Sequence, residues 1–257
     1  MQKMKITVGG ESFDEIRKNN WYYVDKTELI YKLVNDTSNK VTLFTRPRRF
    51  GKTLNMSMIE SFFDITRDSK GIFDGLAISE HTEFCREWMN QYPVLFISLK
   101  DVDGLTFESA YSRLSYIIYH LCVKLRPVIS KSVVEDSDLS IFNRFLAQTA
   151  TESDIQNALF VLMRIMYTIY NKPVVLLIDE YDVPLAKAND NGYYRQMLDV
   201  IRGIMSISIK TNEYLKFAVI TGCLRIAKES IFTGANNFMS YSVLDERFSE
   251  YFGFTQS

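Results

Sequence analysis

The chain has 257 residues, 47% apolar and 14% aromatic, enough to bury a large core and too apolar for a disordered segment. Thirty Lys and Arg face thirty-one Asp and Glu, a formal net charge of −1. That excludes the global basic field of a dedicated nucleic-acid binder, so nucleic acid is expected only indirectly or weakly.

Residues 1–40 read as an N-terminal appendage packed on a core formed by 41–257. The appendage holds a polar helical stretch near Phe13–Lys18 and the aromatic cluster Trp21-Tyr22-Tyr23. Met1–Val8 lacks the apolar run of a signal peptide, and no run in the chain approaches the roughly 18 residues of a membrane span. The expectation is a cytoplasmic protein with no membrane partner.

Val41-Thr-Leu-Phe-Thr45 is β-branched and aromatic, which predicts a strand. It runs into Arg46-Pro-Arg-Arg-Phe-Gly51, after which Leu54, Met58, Ile59, Phe62 and Phe63 recur at a helical period across Lys52–Asp64. Pro93–Leu99 predicts a buried parallel strand. Helices are expected at about Phe107–Leu125 and Asp154–Tyr170, the second opened by the capping signal Thr151-Glu-Ser-Asp154. Pro173–Ile178 predicts a further strand that stops at Asp179-Glu-Tyr-Asp182, followed by a helix at about Tyr193–Ile209. Leu215–Thr221 and Met239–Val243 complete five candidate strands. Strands alternating with longer helices imply an α/β fold, a doubly wound, mostly parallel sheet with helices on both faces. Ligands of such sheets sit at the carboxyl ends of the strands.

Cys85, Cys122 and Cys223 are far apart, and neither His81 nor His120 neighbours another ligand, so no zinc spacing is present. The chain closes on Tyr251-Phe-Gly-Phe-Thr-Gln-Ser257. That aromatic stretch reads as a surface made to pack, and as a sign that a longer protein continues.

A phosphate-binding loop needs inward amides, a helix N-terminus aimed at the anion, and a lysine that reaches the outer phosphates. Gly51-Lys52-Thr53 supplies the last glycine, the lysine and a hydroxyl for Mg²⁺, where a strand turns into a helix. The usual pattern has glycine where this chain has Arg46. Arg46, Arg48 and Arg49 therefore either add charge around the phosphates or face a partner. The second motif is Asp179-Glu180 at the end of a hydrophobic strand. There Asp179 is placed to share Mg²⁺ with Thr53, and Glu180 to polarise an attacking water. Thr221 is either a γ-phosphate sensor between the two motifs or a satisfied strand-end hydroxyl. Arg225 is either a phosphate contact or a surface ion pair. Asp182 is either close to the metal or a turn residue.

Several long motifs resemble the AAA-ATPase-like family of bacterial and archaeal P-loop proteins. They are Trp21-Tyr-Tyr-Val-Asp-Lys-Thr27, Phe44–Met58 around the loop, Leu177-Ile-Asp-Glu-Tyr-Asp-Val-Pro-Leu185, Thr221–Gly234 and Tyr251-Phe-Gly-Phe-Thr255. The resemblance implies an additional-strand P-loop fold with sheet order 5-1-4-3-2, arginine as a normal occupant of position 46, and adenine over guanine. It also implies a C-terminal nuclease-like domain of the PD-(D/E)XK type, which would lie beyond Ser257.

These residues define a candidate site. Arg46, Pro47, Arg48, Arg49, Phe50, Gly51, Lys52, Thr53 and Leu54 would hold ATP. Thr53 and Asp179 would hold Mg²⁺. Glu180, Lys52, Thr221 and Arg225 would serve catalysis. Two functions fit: an ATP-hydrolysing module that drives or regulates an effector, or a nucleotide-binding switch with little turnover. Assembly with further copies of the chain, one of which supplies an arginine, is compatible with either.

Overall fold

The computed structural model describes residues 9–35, 40–130, 132, 134–223, 231–232 and 238–253. The elements in chain order are α1 (Phe13–Lys18), α2 (Glu28–Asn35), β1 (Val41–Thr45), α3 (Lys52–Phe63) and α4 (Lys70–Phe73). A 3-10 turn at Ala77–Glu80 leads to α5 (Thr82–Trp88), β2 (Val94–Ser98), α6 (Phe107–Ile129), α7 (Asp136–Leu146) and α8 (Glu152–Tyr170). Then follow β3 (Val174–Asp179), α9 (Val183–Asp190), α10 (Tyr194–Ile209), β4 (Leu215–Gly222), β5 (Phe238–Tyr241) and a 3-10 segment at Glu246–Tyr251.

The five strands form one sheet in the order β2-β3-β4-β1-β5, and every pairing is parallel. Read from the other edge, this is the expected 5-1-4-3-2 order of an additional-strand P-loop fold. Side chains alternate between the faces, as a pleated strand requires. Along β3, Val174, Leu176 and Ile178 join a core with α6, α8 and α10. Val175 and Leu177 join a second core with α3. With helices on both sides, β3 is fully buried, which is why it reads as an unbroken apolar run.

The appendage contributes to that second core: Phe13, Leu29, Ile30 and Leu33 are buried in it. α2 was not expected there. Nor was α7, whose polar sequence buries Phe142 and Phe145 but also Asp138, paired to Arg164. The helix expected to stop near Leu125 runs on to Ile129 with Pro127 inside it. The fifth strand lies slightly earlier than expected, at Phe238–Tyr241. Among the described residues no helix is long and apolar enough to cross a membrane.

Candidate functional site

Inserting β4 between β1 and β3 decides what meets at the carboxyl rim of the sheet. Register aligns Phe44 with Thr221 and Thr45 with Gly222 on one side of β4, and Ile178 with Ile220 on the other. The loop after β1 and the carboxylate ending β3 therefore flank Thr221.

Asp179 is the hub. It is fully buried, and each carboxylate oxygen accepts a hydroxyl proton. Thr53 Oγ1 donates to Oδ2 at 2.8 Å, and Thr221 Oγ1 donates to Oδ1. A buried carboxylate demands such partners. Thr53 keeps its lone pairs and Asp179 offers two carboxyl oxygens, a donor set suited to a hard cation that retains several waters. Among the described residues no cluster of three or more His, Cys, Asp or Glu forms an all-protein metal cage. Mg²⁺ would fit as a shared ion completed by phosphate oxygens and water.

Lys52 opens α3 and is buried. Its ammonium donates to the carbonyls of Arg46 and Pro47 at 3.0 Å each and meets Cys223 Sγ at 3.3 Å. The loop thus folds its own carbonyls round its lysine. Gly51 caps the helix at φ 75°, and the first helical bond is Asn55 N to Gly51 O at 2.9 Å. The amides of Gly51, Lys52 and Thr53 precede that bond, and a helix N-terminus of this kind attracts anions. Leu54 turns its side chain to the second core. Pro47, Arg48, Arg49 and Phe50 are exposed.

The missing glycine has a structural answer. The left-handed positions of this loop are Arg49 at φ 68° and Gly51, and Arg46 is not one of them. The Arg46 guanidinium is instead tied down between the ends of β1 and β5. It is 2% exposed, donates from Nη1 to Thr45 O and Tyr241 O, and lies over the Phe252 ring at 5.0 Å.

Glu180 follows β3 at φ 55°, a backbone region that a non-glycine residue occupies at a cost. Burial holds its carboxyl above the ordinary range. The neighbouring Asp179 adds to this, while Lys52 pulls the other way. Asp182 accepts from Cys223 N at 3.0 Å, and so braces the turn after β4. Arg225 lies outside the described residues.

Thr53, Asp179 and Thr221 therefore meet in one hydrogen-bonded group, with Glu180 electrostatically coupled to Asp179 and Lys52, while the Lys52 ammonium is held separately by the Arg46 and Pro47 carbonyls. Cys223 was not singled out from sequence, although its place directly after Thr221-Gly222 at the end of a strand is the signal that finds it. Asn55 was also missed; its Nδ2 donates to Tyr251 O at 2.8 Å and ties α3 to the closing aromatic segment.

A family model described as Predicted AAA-ATPase matches residues 7–232. An uncharacterized protein in the vnfD 5' region of Azotobacter chroococcum mcd 1 is 26% identical over 264 aligned residues, which take in 100% of this chain and 44% of that relative. The chain thus spans less than half the length of the curated relative it matches. No solved structure matches. The family match covers most of the five-stranded core and both motifs, and implies nucleotide binding: the chain belongs to the predicted AAA-ATPase family.

Proposed function

We propose that the chain is an ATP-binding module that hydrolyses ATP, with Mg²⁺, to drive or regulate an effector. The observation that carries this reading is the 2.8 Å bond from Thr53 Oγ1 to Asp179 Oδ2, with Lys52 beside it in the same loop. Lys52 and the amides of Gly51 to Thr53 would grip the β- and γ-phosphates. Thr53 and Asp179 would hold Mg²⁺, which when bound neutralises charge on those phosphates. Glu180 would accept a proton from the attacking water, a role favoured by a carboxyl of raised pKa. Thr221 would report the γ-phosphate to Asp179, which its hydroxyl already touches. Arg48 and Arg49, exposed at the loop tip, would face the phosphates or a neighbouring copy, and Arg225 would be a further phosphate contact.

The module would work in the cytoplasm, where its substrate is abundant. Its effector would lie in the longer protein that the relative's length suggests, a C-terminal nuclease-like domain being the candidate, or in a partner. Calorimetry with Mg·ATP and a phosphate-release assay test the reading together. Wild type should bind and turn over, Lys52→Ala should lose both, and Glu180→Gln should keep binding only. Wild-type binding without turnover in the full-length protein would favour the switch. Equal phosphate release by wild type and Lys52→Ala would end the hydrolytic reading.

A further inference from the structure

Phosphate loops are usually shaped by a glycine at the position that Arg46 occupies here, and the geometry around Arg46 shows another means. Its backbone N–H donates to Gly222 O of β4 at 3.0 Å. Its guanidinium donates the other way, to Tyr241 O of β5 at 2.8 Å and to Thr45 O at 3.0 Å. One residue thus fastens the end of β1 to both neighbouring strands. Its carbonyl is in turn an acceptor for the Lys52 ammonium. Whatever fixes Arg46 fixes the seat of that lysine.

The far side of the guanidinium is supplied by the closing aromatic segment. Phe252 lies beneath it at 5.0 Å and packs on Phe44 at 4.9 Å between ring centroids. Among the described residues no acceptor meets Arg46 Nη2, and the buried cation is accompanied by the Phe252 face and by the charge of Asp245. The same segment grips the loop twice more. Gly253 N donates to Phe50 O at 3.2 Å, and Tyr251 O accepts from Asn55 on α3 at 2.8 Å. Gly253 stands at φ 79°, where an added Cβ would lie 2.9 Å from the Phe50 ring. The segment is fastened from behind by α2 and the residues just before it, through Lys26 Nζ to Glu250 O at 2.5 Å and Lys32 Nζ to Glu250 Oε1 at 2.9 Å.

Resting on the reading of the loop as a phosphate site, we infer that Arg46 is a positioning residue rather than a phosphate ligand. With Phe252 as its seat, it sets the loop carbonyls that hold Lys52. Loss of supports one shell behind a metal site commonly lowers affinity about 10–100-fold, and a loss of that order is expected here.

The test is Mg·ATP affinity by calorimetry on the 257-residue chain, at low and high salt, at a temperature where each variant is folded by its thermal transition. Arg46→Gly, which installs the usual glycine, and Phe252→Leu, which leaves every charge in place, should each weaken binding about tenfold or more. The loss should be independent of salt. The double variant should lose little more than Arg46→Gly alone, because the two act as one unit. Arg46→Lys should recover part of the affinity by restoring a donor.

The inference is overturned if Arg46→Gly binds as tightly as wild type while Lys52→Ala does not bind. It is also overturned if Phe252→Leu is neutral and the Arg46→Gly loss scales with salt, the signature of direct phosphate contact. If Arg46→Gly does not fold, Phe252→Leu decides alone: weaker binding supports the inference and unchanged binding overturns it. If Lys52→Ala binds like wild type, the phosphate-site reading itself fails and the role of Arg46 falls with it.

Discussion

Thr53 Oγ1 donates to Asp179 Oδ2 across 126 residues of chain. The bond joins the first turn of α3 to the end of β3, so each residue fixes the other's place at the rim. Thr53→Ala would leave one oxygen of a buried carboxylate without its partner, at about 1–3 kcal/mol in stability. It would also remove a hydroxyl from the proposed Mg²⁺ position. The expected result is a lower denaturation midpoint, and an ATP affinity that no longer differs between Mg²⁺ and chelator. An undiminished Mg²⁺ effect in this variant would separate Thr53 from the metal.

Glu180→Gln preserves side-chain shape at a backbone position of φ 55° and leaves the cost of that conformation unchanged. It removes a carboxylate that stands against Asp179, so the affinity for ATP should hold or rise. Turnover should fall about 10²–10⁴-fold, the usual contribution of a general base. Phosphate release under saturating Mg·ATP measures this, and turnover within a few-fold of wild type would disqualify Glu180 as the base.

What the chain disclosed in advance followed the range of each signal. β1, the loop and β3 were legible because local rules govern them: an apolar run, then Gly51-Lys52-Thr53 or Asp179-Glu180. The order of strands was not local, and came from resemblance of whole motifs. α2 escaped because its apolar positions Leu29, Ile30 and Leu33 occupy only two turns, and what holds them is the second core. α7 escaped because Asp138 is a buried charge, intelligible only beside Arg164 on α8. The role of Arg46 was the least accessible. Its acceptor on Tyr241 is 195 residues away, and nothing near Arg46 announces it.

Cys223 offers a probe of the site that needs no turnover. Its thiol is half-buried and stands 3.3 Å from the Lys52 ammonium. Cys122 is fully buried, with its thiol pushed up to about 12, and burial also raises that of Cys85. Thiolate, not thiol, reacts. A maleimide followed by peptide mass analysis should therefore mark Cys223 ahead of Cys122. Mg·ATP should slow that reaction in proportion to the fraction of protein occupied. Labelling of Cys223 at one rate with and without saturating nucleotide would place bound phosphate away from Lys52.

Asp154 gives a stability test remote from the rim. Thr151 Oγ1 accepts from Asp154 N at 3.2 Å, and Asp154 Oδ2 accepts from Thr151 N at 2.9 Å, a reciprocal cap on α8. Arg144 adds a fork, Nε to Oδ2 at 2.9 Å and Nη2 to Oδ1 at 2.5 Å. The Arg144 guanidinium, helped by the Thr151 cap, holds the Asp154 carboxyl down at about 2, below the roughly 3.9 of an unfolded chain. A depressed folded pKa stabilises above the unfolded value, and that stability drains away as pH falls from about 4 towards 2. Asp154→Asn should accordingly melt below wild type at neutral pH, by about 1 kcal/mol, and the gap should close across that acid window. Thr151→Ala should cost a similar amount, yet leave the Arg144 fork and its acid dependence largely in place. Melting curves of the three proteins from pH 7 to 2 decide the matter: a gap between wild type and Asp154→Asn that stays constant with pH would show that the ion pair contributes nothing.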